Sequence, residues 1–323
     1  IDSLKKEYIE IDYGIGTHKE SDVFLSSTQL ERLGTCPYSY FLVYILGIRP
    51  LEPLERDIDR WLDPLEKGTL YHTIYDIYSE YVAELTKEGK TIDDEKRRKL
   101  LFAIAQKVVA EKEREQAAED RWLIDRFKVE LSQDLEVFLD TEREMPGRPI
   151  GTELSFGMGG ESKPAILIWE TKKQGYYLRG RIDRVNETED GLHIWDYKTG
   201  STYNYEDDES FKGGRQLQHA LYAAALEKLW PDKKVINSGY LFPTVRGKGT
   251  IIMRYPQDAE YIKNHNKILS FLIKNFEEGK FMLTDNDKDC TFCDYKEVCN
   301  KDLIPEDVSK KFKELLKEMR GIK

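Results

Sequence analysis

The sequence has no long apolar run. No stretch of about 18 consecutive apolar residues occurs in its 323 residues, so we expect no transmembrane helix and no membrane partner. The first residues, Ile1 to Lys5, include neither a Met nor an apolar signal segment. We therefore expect a piece of a longer chain, in which residues 1–24 form a polar lead-in segment.

Cysteine is scarce, with four residues in the whole chain. An even number would suit two disulfides in a secreted protein, but nothing marks secretion, so a reducing cytoplasm is the expected location. Cys290, Cys293 and Cys299 form a compact run, and Cys36 lies 254 positions before it. Four thiolates suit a tetrahedral zinc ion or an iron–sulfur cluster. The spacing favours a cluster, with zinc second and disulfides third.

A positive net charge is also missing. The formal charge of −10 would argue against a nucleic-acid partner if it were evenly spread. It is uneven, because residues 172–254 carry 14 basic and 11 acidic side chains. The net charge therefore does not exclude a local basic track that binds nucleic acid.

Glycine and proline are absent from residues 91–144, which predicts two or three long helices there. Upstream, Thr28-x-x-Glu31 resembles a capping box that opens a helix running toward Tyr44. Residues 68–85 have the pattern of an amphipathic helix, with an apolar stripe of Leu70, Ile74, Ile77 and Tyr81.

Strand patterns dominate residues 151–199. After them we expect a helix over 216–230, a strand near 237–242, a hairpin about 247–249 and further helices to the end. This order predicts an α/β fold, in which a small mixed sheet is flanked by helices and residues 91–145 form a helical insertion.

One predicted hairpin carries charges that strands usually avoid. In residues 180–200, Asp183 lies in the first arm and Asp196 and Lys198 lie in the second. A loop at Asp190-Gly191 would place Asp183 opposite Lys198, whereas a loop at Glu189-Asp190 would place it opposite Asp196. In either register the two carboxylates and the amine share one face.

The opposite face of this hairpin would then carry Ile182, Trp195 and Tyr197. A divalent cation prefers carboxylate oxygens, and an ammonium beside it suits the negative charge that develops during phosphodiester hydrolysis. The hairpin therefore predicts a metal-dependent hydrolytic site, and a structural salt-bridge cluster is the alternative.

Two predicted helices supply further polar side chains. His72, near the head of the helix over 68–85, lies off the apolar stripe and would point into a site, although a structural role is commoner for a helical histidine. Gln218 and Tyr222 are four residues apart and share a helix face. They would hold a phosphate or orient Lys198.

Together these motifs resemble the RecB/AddB-type branch of the PD-(D/E)XK nuclease superfamily. They follow the family's order across nearly the whole chain: Thr28-Gln29-Leu30, Cys36-Pro37-Tyr38, Gly68 to His72, Gly180 to Arg184, Ile194 to Gly200, Gln218-x3-Tyr222 and the three clustered cysteines. The chain is most similar to the iron–sulfur nuclease domain at the C-terminal end of AddB-like helicase–nuclease subunits.

The resemblance implies a restriction-endonuclease-like nuclease domain over residues 25–323, with a C-terminal iron–sulfur region formed by Cys36 and residues 290–299. A 4Fe–4S cluster would be held by Cys36, Cys290, Cys293 and Cys299. Mg²⁺ or Mn²⁺ would be held by His72, Asp183, Asp196 and the Tyr197 carbonyl. The catalytic residues would be Lys198, Asp183, Asp196, Gln218 and Tyr222.

Two assignments, those of Gln218 and Glu153, depend on fewer sequence observations than the others. Gln216 also precedes the helix that carries Gln218, and only the spacing to Tyr222 selects Gln218. Glu153, at the start of a possible strand, is a weaker candidate for an outer metal contact.

The expected function is a metal-dependent deoxyribonuclease, acting as an exonuclease or on single strands in DNA repair, recombination or end processing. The expected partners are DNA single strands or duplex ends, and helicase subunits or a helicase domain of the same longer chain. The DNA-facing cations would be Arg179, Arg181 and Lys198, flanked by Lys172, Lys173, Lys212, Arg215, Arg246 and Lys248. Two alternatives stay open: a catalytically inactive DNA-binding iron–sulfur scaffold, and a zinc-bearing interaction module.

Overall fold

The computed structural model of the chain describes residues 22–50, 59–118, 120–205 and 209–322. Its strands are β1 (Val23–Ser26), β2 (Arg148–Phe156), β3 (Ile166–Glu170), β4 (Gly175–Glu187), β5 (Leu192–Tyr197), β6 (Val235–Phe242) and β7 (Thr250–Ile252). Its helices are α1 (Ser27–Thr35), α2 (Pro37–Tyr40), α3 (Pro64–Lys87), α4 (Asp94–Glu115), α5 (Arg121–Glu144), α6 (Gln218–Leu229), α7 (Ala259–Glu277), α8 (Lys296–Cys299) and α9 (Glu306–Arg320). Most of the predicted lead-in lies outside the described residues, and its last two residues already belong to β1.

The seven strands form one mixed sheet around the long strand β4. Strand β4 pairs with β1 in parallel and with β2, β3 and β5 in antiparallel orientation. Strand β5 continues to β6 in parallel, and β6 pairs with β7 in the predicted hairpin. The prediction of an α/β fold with a mixed sheet flanked by helices is confirmed.

The hairpin of β4 and β5 adopts the second of the two predicted registers. Arg184 pairs with Trp195 and Glu187 pairs with Leu192. The Thr188 amide donates to the Gly191 carbonyl at 2.9 Å, so Glu189 and Asp190 form the tip of the loop. Continuing this register by one residue places Asp183 opposite Asp196.

Helices cover both faces of the sheet. On one face, α6 and α7 bury Val185 and Ile194. On the other face, α3, α4 and α5 bury Trp195 and Tyr197. The prediction that Ile182 shares the side of Trp195 and Tyr197 is wrong, because Ile182 packs with Val185 in the first cluster. Strict alternation fails where β4 changes partners, from β1 and β3 to β2 and β5.

Helix α3 begins at Pro64, behind a capping box in which Asp63 accepts from the Glu66 amide. Its buried residues are Leu70, Tyr71, Ile74, Tyr75, Tyr78, Ser79, Val82 and Ala83. The predicted stripe is wrong at Ile77 and Tyr81, which are 38% and 49% exposed. The aromatic side is buried instead because α5 packs there: Tyr71 donates to Asp134 at 2.7 Å, and Tyr75 stacks on Phe138.

Helix α1 is capped by Ser26 and Gln29, and the predicted cap of Thr28 and Glu31 is therefore wrong. The helix also stops earlier than predicted, because Cys36 has extended backbone angles. A residue before proline is sterically pushed out of the helical region, and Pro37 follows Cys36. The chain resumes in α2 and a π-helical turn over Phe41–Ile45.

The helical insertion contains two long helices, α4 and α5. Both pack with α3 in the cluster that contains Trp195. A buried ion pair joins α5 to the sheet, with the Arg184 guanidinium 2.6 Å and 3.0 Å from the two carboxylate oxygens of Glu142. The insertion is thus part of the core beneath the hairpin. None of the helices in the described residues is long and apolar enough to cross a membrane.

Candidate active site and cysteine site

The charged residues of the hairpin converge around Tyr197. Lys198 Nζ lies 2.6 Å from Asp196 Oδ2. The Tyr197 amide donates to Asp183 Oδ2 at 2.9 Å, so both aspartates lie next to the segment from Asp196 to Lys198. Asp183 and Asp196 are both buried, and Lys198 is half-buried.

His72 reaches this cluster from α3. Its Nε2 lies 3.0 Å from the Tyr197 carbonyl oxygen, and its Nδ1 lies 3.4 Å from Asp183 Oδ2. The ring meets the Tyr197 ring edge-on. The structure therefore brings the predicted histidine to the predicted carbonyl and carboxylate.

Glu153 joins the site more closely than the sequence indicates. Ligand atoms of His72, Glu153 and Asp183 lie within 4.8 Å of one another, and we call these residues the candidate metal group. In the part of the chain that the structure describes, no other three His, Cys, Asp or Glu residues meet this spacing. Glu153 has a left-handed backbone (φ 47°) on β2 and forms an ion pair with Arg181. No sequence pattern reveals that conformation in a glutamate.

The glutamine chosen by spacing contacts the lysine. Gln218 Oε1 accepts from Lys198 Nζ at 3.1 Å, and Gln218 Nε2 donates to Asp196 Oδ1 at 2.5 Å. Gln216 instead donates to the Asn204 carbonyl. Tyr222 is buried one turn behind Gln218, where Ser27 donates to its hydroxyl at 3.4 Å. Tyr222 thus packs behind the site.

The titratable groups of the site perturb one another. Burial raises the pKa of Asp196, and the Lys198 ammonium offsets this only in part. Burial opposes the charge of Lys198, but the Asp196 carboxylate together with Tyr205 and Glu31 more than offsets it and raises the pKa of the lysine. Burial also raises the pKa of Glu153. Burial lowers the pKa of His72, but the carboxylates of Asp183 and Asp196 together more than offset this and raise it. The site holds more carboxylates than neighbouring positive side chains, and burial makes their negative charge unfavourable. A bound metal cation would therefore be stabilised there.

All four cysteines line one cavity of about 940 Å³, the cysteine cavity. They are free thiols. Among the residues that the structure describes, which include all four, no three cysteine sulfurs lie within 4.8 Å of one another. Four thiols around one cavity suit either a tetrahedral zinc ion or an iron–sulfur cluster.

Burial raises the pKa of the Cys36, Cys290 and Cys299 thiols. Lys301 counters this at Cys290, because its Nζ lies 3.9 Å from the sulfur. The Lys301 ammonium would therefore favour the thiolate form that metal binding requires.

Some of the predicted DNA-facing cations line different cavities. Lys212 and Arg215 line a cavity of about 700 Å³ that reaches Lys198, here called the lysine cavity. Arg215 is held by Asp285 and Asp289. Arg246 lines a separate cavity, and Lys248 lies at a left-handed position of the turn before β7.

Sequence reasoning missed the contact that Glu31 makes. Its carboxylate accepts hydrogen bonds from the amides of Leu217 and Gln218, at 2.7 Å and 2.9 Å. The sequence signal was a glutamate in a predicted capping box. The structure shows that it caps a different helix, 186 residues away.

Comparison with known proteins adds independent information. Residues 25–300 match the model of the PD-(D/E)XK nuclease superfamily. The chain is 28% identical over 277 residues to an ATP-dependent helicase/deoxyribonuclease subunit of Clostridium novyi, in a match that covers 80% of this chain and 23% of that protein. It is 31% identical over 238 residues to the helicase/deoxyribonuclease subunit of the same name from Clostridium tetani, covering 69% of this chain and 19% of that protein. The chain thus spans about a fifth of the length of the curated relatives it matches.

Proposed function

This chain belongs to the PD-(D/E)XK nuclease superfamily, and we propose that it is a deoxyribonuclease domain that uses Mg²⁺ or Mn²⁺. The relatives support the motif-based resemblance to RecB/AddB-type nucleases. From their names we further propose that it acts on DNA single strands or ends, together with helicase subunits or a helicase domain of the same longer chain. Its role would lie in DNA repair, recombination or end processing.

The observation that carries this proposal is the candidate metal group beside the Lys198–Asp196 pair. His72, Glu153 and Asp183 present their ligand atoms within 4.8 Å of one another, and the Tyr197 carbonyl lies 3.0 Å from His72. Oxygen ligands with one imidazole suit Mg²⁺ or Mn²⁺. Asp196 contacts Lys198 and Gln218, and it would complete the site as the remaining ligand that the family resemblance implies.

A cation in this site would polarise the scissile phosphate and lower the pKa of an attacking water. Lys198 supplies a fixed positive charge next to that position, and the Asp196 carboxylate keeps it protonated. Gln218 holds both members of the pair by its two amide atoms. The chain's own contribution is therefore a rigid ammonium aimed at the developing negative charge.

We also propose that the cysteine site holds a 4Fe–4S cluster. Four free thiols from the two ends of the described chain line one cavity, and the spacing of the cysteines along the sequence favours a cluster over zinc. We propose that this cluster is structural and takes no part in cleavage. Among the described residues, the candidate metal group consists of His72, Glu153 and Asp183 and contains no cysteine. Anaerobically purified protein should contain about four irons per chain and little zinc. One zinc per chain without iron would contradict the cluster.

The alternative is a DNA-binding scaffold that has kept the fold without activity. The chain retains both aspartates, the lysine and the histidine, which favours an enzyme. A cleavage assay separates the two. End-labelled linear single strands, linear duplexes and circular single strands are incubated with Mn²⁺, with Mg²⁺ or with a chelator. Cleavage of linear strands alone would indicate an exonuclease.

Variants tie any activity to this site. Asp183→Ala, Asp196→Ala and Lys198→Ala should each lower the cleavage rate by at least about 100-fold. Asp190→Ala, which removes a carboxylate from the tip of the same hairpin, is the matched control and should cleave like the unmodified chain. Metal-dependent cleavage that survives in Lys198→Ala would rule out the assigned role of the lysine.

A further inference from the structure

Glu31 caps a helix to which it does not belong. It lies on α1, and its Oε1 accepts from the amides of Leu217 and Gln218 at the start of α6. Leu217 occupies the capping position of α6 and has no side-chain group that accepts these hydrogens. Amides in the first turn of a helix lack partners within the helix, and a negative charge is favoured there. Glu31 thus supplies a cap that the sequence around α6 does not.

The capped helix begins with the glutamine of the site. Gln218 is the first residue of α6, and its side chain bridges Lys198 and Asp196. Because Glu31 accepts from the Gln218 amide, it fixes the Gln218 backbone and thereby the position of the Gln218 side chain. Three residues therefore form a continuous series of hydrogen bonds, from Glu31 through Gln218 to Lys198.

A second contact fixes α1 against the segment that leads into α6. A Cβ atom on Gly34 would lie 1.9 Å from the Gly214 carbonyl oxygen, so only glycine permits this approach. Arg320 donates to the carbonyls of both Gly34 and Gly213. The distance between α1 and the start of α6 is thus set at two independent places.

Glu31 also lies between the two sites of the molecule. It lines the cysteine cavity with Cys36, which follows five residues later, and it lines the lysine cavity with Lys198. Desolvation raises the pKa of its carboxyl, and the two α6 amides counter this. One side chain therefore borders both the cysteines and the lysine.

We infer that Glu31 is a positioning residue that sets Gln218, and through it Lys198. This inference rests on the proposed nuclease function. Glu31 is not a member of the candidate metal group, so its removal should change the rate of the chemical step and leave metal and DNA binding in place.

The expected results follow from those contacts. Glu31→Ala leaves two amides without an acceptor and frees Gln218, and a displaced catalytic group lowers rates by about 10- to 100-fold. The kcat for DNA cleavage should fall by that factor, while KM and the affinity for Ca²⁺ stay within about twofold. Glu31→Gln keeps an oxygen that accepts both amides, so it should restore kcat to within about fivefold of the unmodified chain.

The control is Gln29→Ala in the same helix. Gln29 forms the capping box of α1 with Ser26, at the end of the helix that lies away from Cys36. This variant should lower the melting temperature and leave kcat unchanged. A fall in kcat equal to that of Glu31→Ala would mean that general weakening of α1 explains the effect, which would overturn the inference.

A double-mutant cycle with Gln218→Ala tests the route. If Glu31 acts through Gln218, Glu31→Ala should lower kcat by less than about twofold in the Gln218→Ala background. Equal effects in both backgrounds would overturn the inference. So would a Glu31→Ala variant that folds and cleaves like the unmodified chain. Absence of cleavage by the unmodified chain is a different result, because it would remove the proposed function and the inference together.

Discussion

Lys198 Nζ lies 2.6 Å from Asp196 Oδ2, so the two residues that flank Tyr197 in sequence form an ion pair. This pair would compete with a bound metal ion for Asp196, whereas Asp183 faces His72 and the Tyr197 amide. The two aspartates therefore differ in their readiness to bind a cation, although both lie in one hairpin.

Variants of Asp183 and Lys198 should differ in how strongly a metal ion stabilises them. Asp183→Ala removes a member of the candidate metal group, so Ca²⁺ or Mn²⁺ should no longer raise its melting temperature. Lys198→Ala removes the competing cation and should keep or enlarge the metal-induced rise. The measurement is a thermal melt with and without metal, and Asp190→Ala is the control. A full Ca²⁺ effect in Asp183→Ala would place the metal elsewhere.

Metal identity should follow from the ligand types. His72 adds a nitrogen, which Mn²⁺ accepts more readily than Mg²⁺ does. We expect Mn²⁺ to support cleavage at least as well as Mg²⁺. Ca²⁺ should permit DNA binding without turnover, and that binding should weaken steeply with salt as phosphate contacts release counterions. Robust cleavage driven by Ca²⁺ would show that the site is built differently.

Removing one partner of the buried pair Arg184–Glu142 should lower the free energy of unfolding strongly, whereas replacing both partners by apolar residues should lower it little. Both side chains are almost fully buried, at 1% and 6% exposure, and Arg184 also bonds to Ser79 and Asn186. Glu142→Ala leaves a buried guanidinium without its carboxylate, which should cost about 3–5 kcal/mol of unfolding free energy. The double variant Arg184→Met, Glu142→Leu should lose much less. Urea unfolding measures both, and a loss below about 1 kcal/mol in Glu142→Ala would refute the expectation.

His265 should make stability depend on pH. Burial lowers its pKa to about 4, and no hydrogen-bond partner for its Nε2 occurs in the described residues. In the unfolded chain the imidazole takes up a proton below about pH 6.5. Its full contribution to stability is therefore present above that pH, and it is lost as the pH falls toward 4.

Replacement of His265 by phenylalanine tests this dependence. The imidazole lies parallel to the Phe211 ring, and a phenyl ring would keep that packing without titrating. Relative to the unmodified chain, His265→Phe should gain about 2 kcal/mol in unfolding free energy between about pH 7 and about pH 4.5. Parallel pH profiles for the two proteins would show that His265 is not the group responsible.

Local sequence patterns predicted which hairpin residues of the candidate site lie close together. Asp183, Asp196 and Lys198 lie in one hairpin, where the period of a strand determines which residues share a face. Either register led to the same cluster, so an error of one residue in the loop could not separate them. The roles assigned to these residues stay predictions until cleavage is measured.

Contacts between distant segments were harder to predict. Glu153 reaches the site because β2 pairs with β4 across a register shift and because its own backbone is left-handed. Glu31 was predicted to cap its own helix, because nothing in the local sequence indicates a partner 186 residues away. The buried stripe of α3 was misjudged for a similar reason: α5 supplies Asp134 and Phe138, which receive tyrosines instead of Ile77.

The cysteine segment has little core of its own. Between residues 285 and 304 only Tyr295 is buried, whereas Phe292 and Leu303 are 95% and 80% exposed. Such a segment buries too little apolar surface to hold its own conformation, and the proposed metal cross-link would order it. A cross-link from Cys36 to Cys290 through the proposed cluster would close a loop of 254 positions and contribute on the order of 5 kcal/mol to the free energy of unfolding.

Loss of the cross-link should therefore act first on this segment. Other bonds join the two ends of the fold, including the Tyr38 amide to the Met282 carbonyl and the Tyr295 hydroxyl to the Ile48 carbonyl. Cys36→Ala should lower the melting temperature and expose residues 285–304 to protease, while the sheet stays folded by circular dichroism. DNA binding should weaken as a consequence. Iron-depleted unmodified protein should behave in the same way. If either protein melts and resists protease like the intact form but fails to cleave, the cysteines act in the catalytic site and not as a structural cross-link.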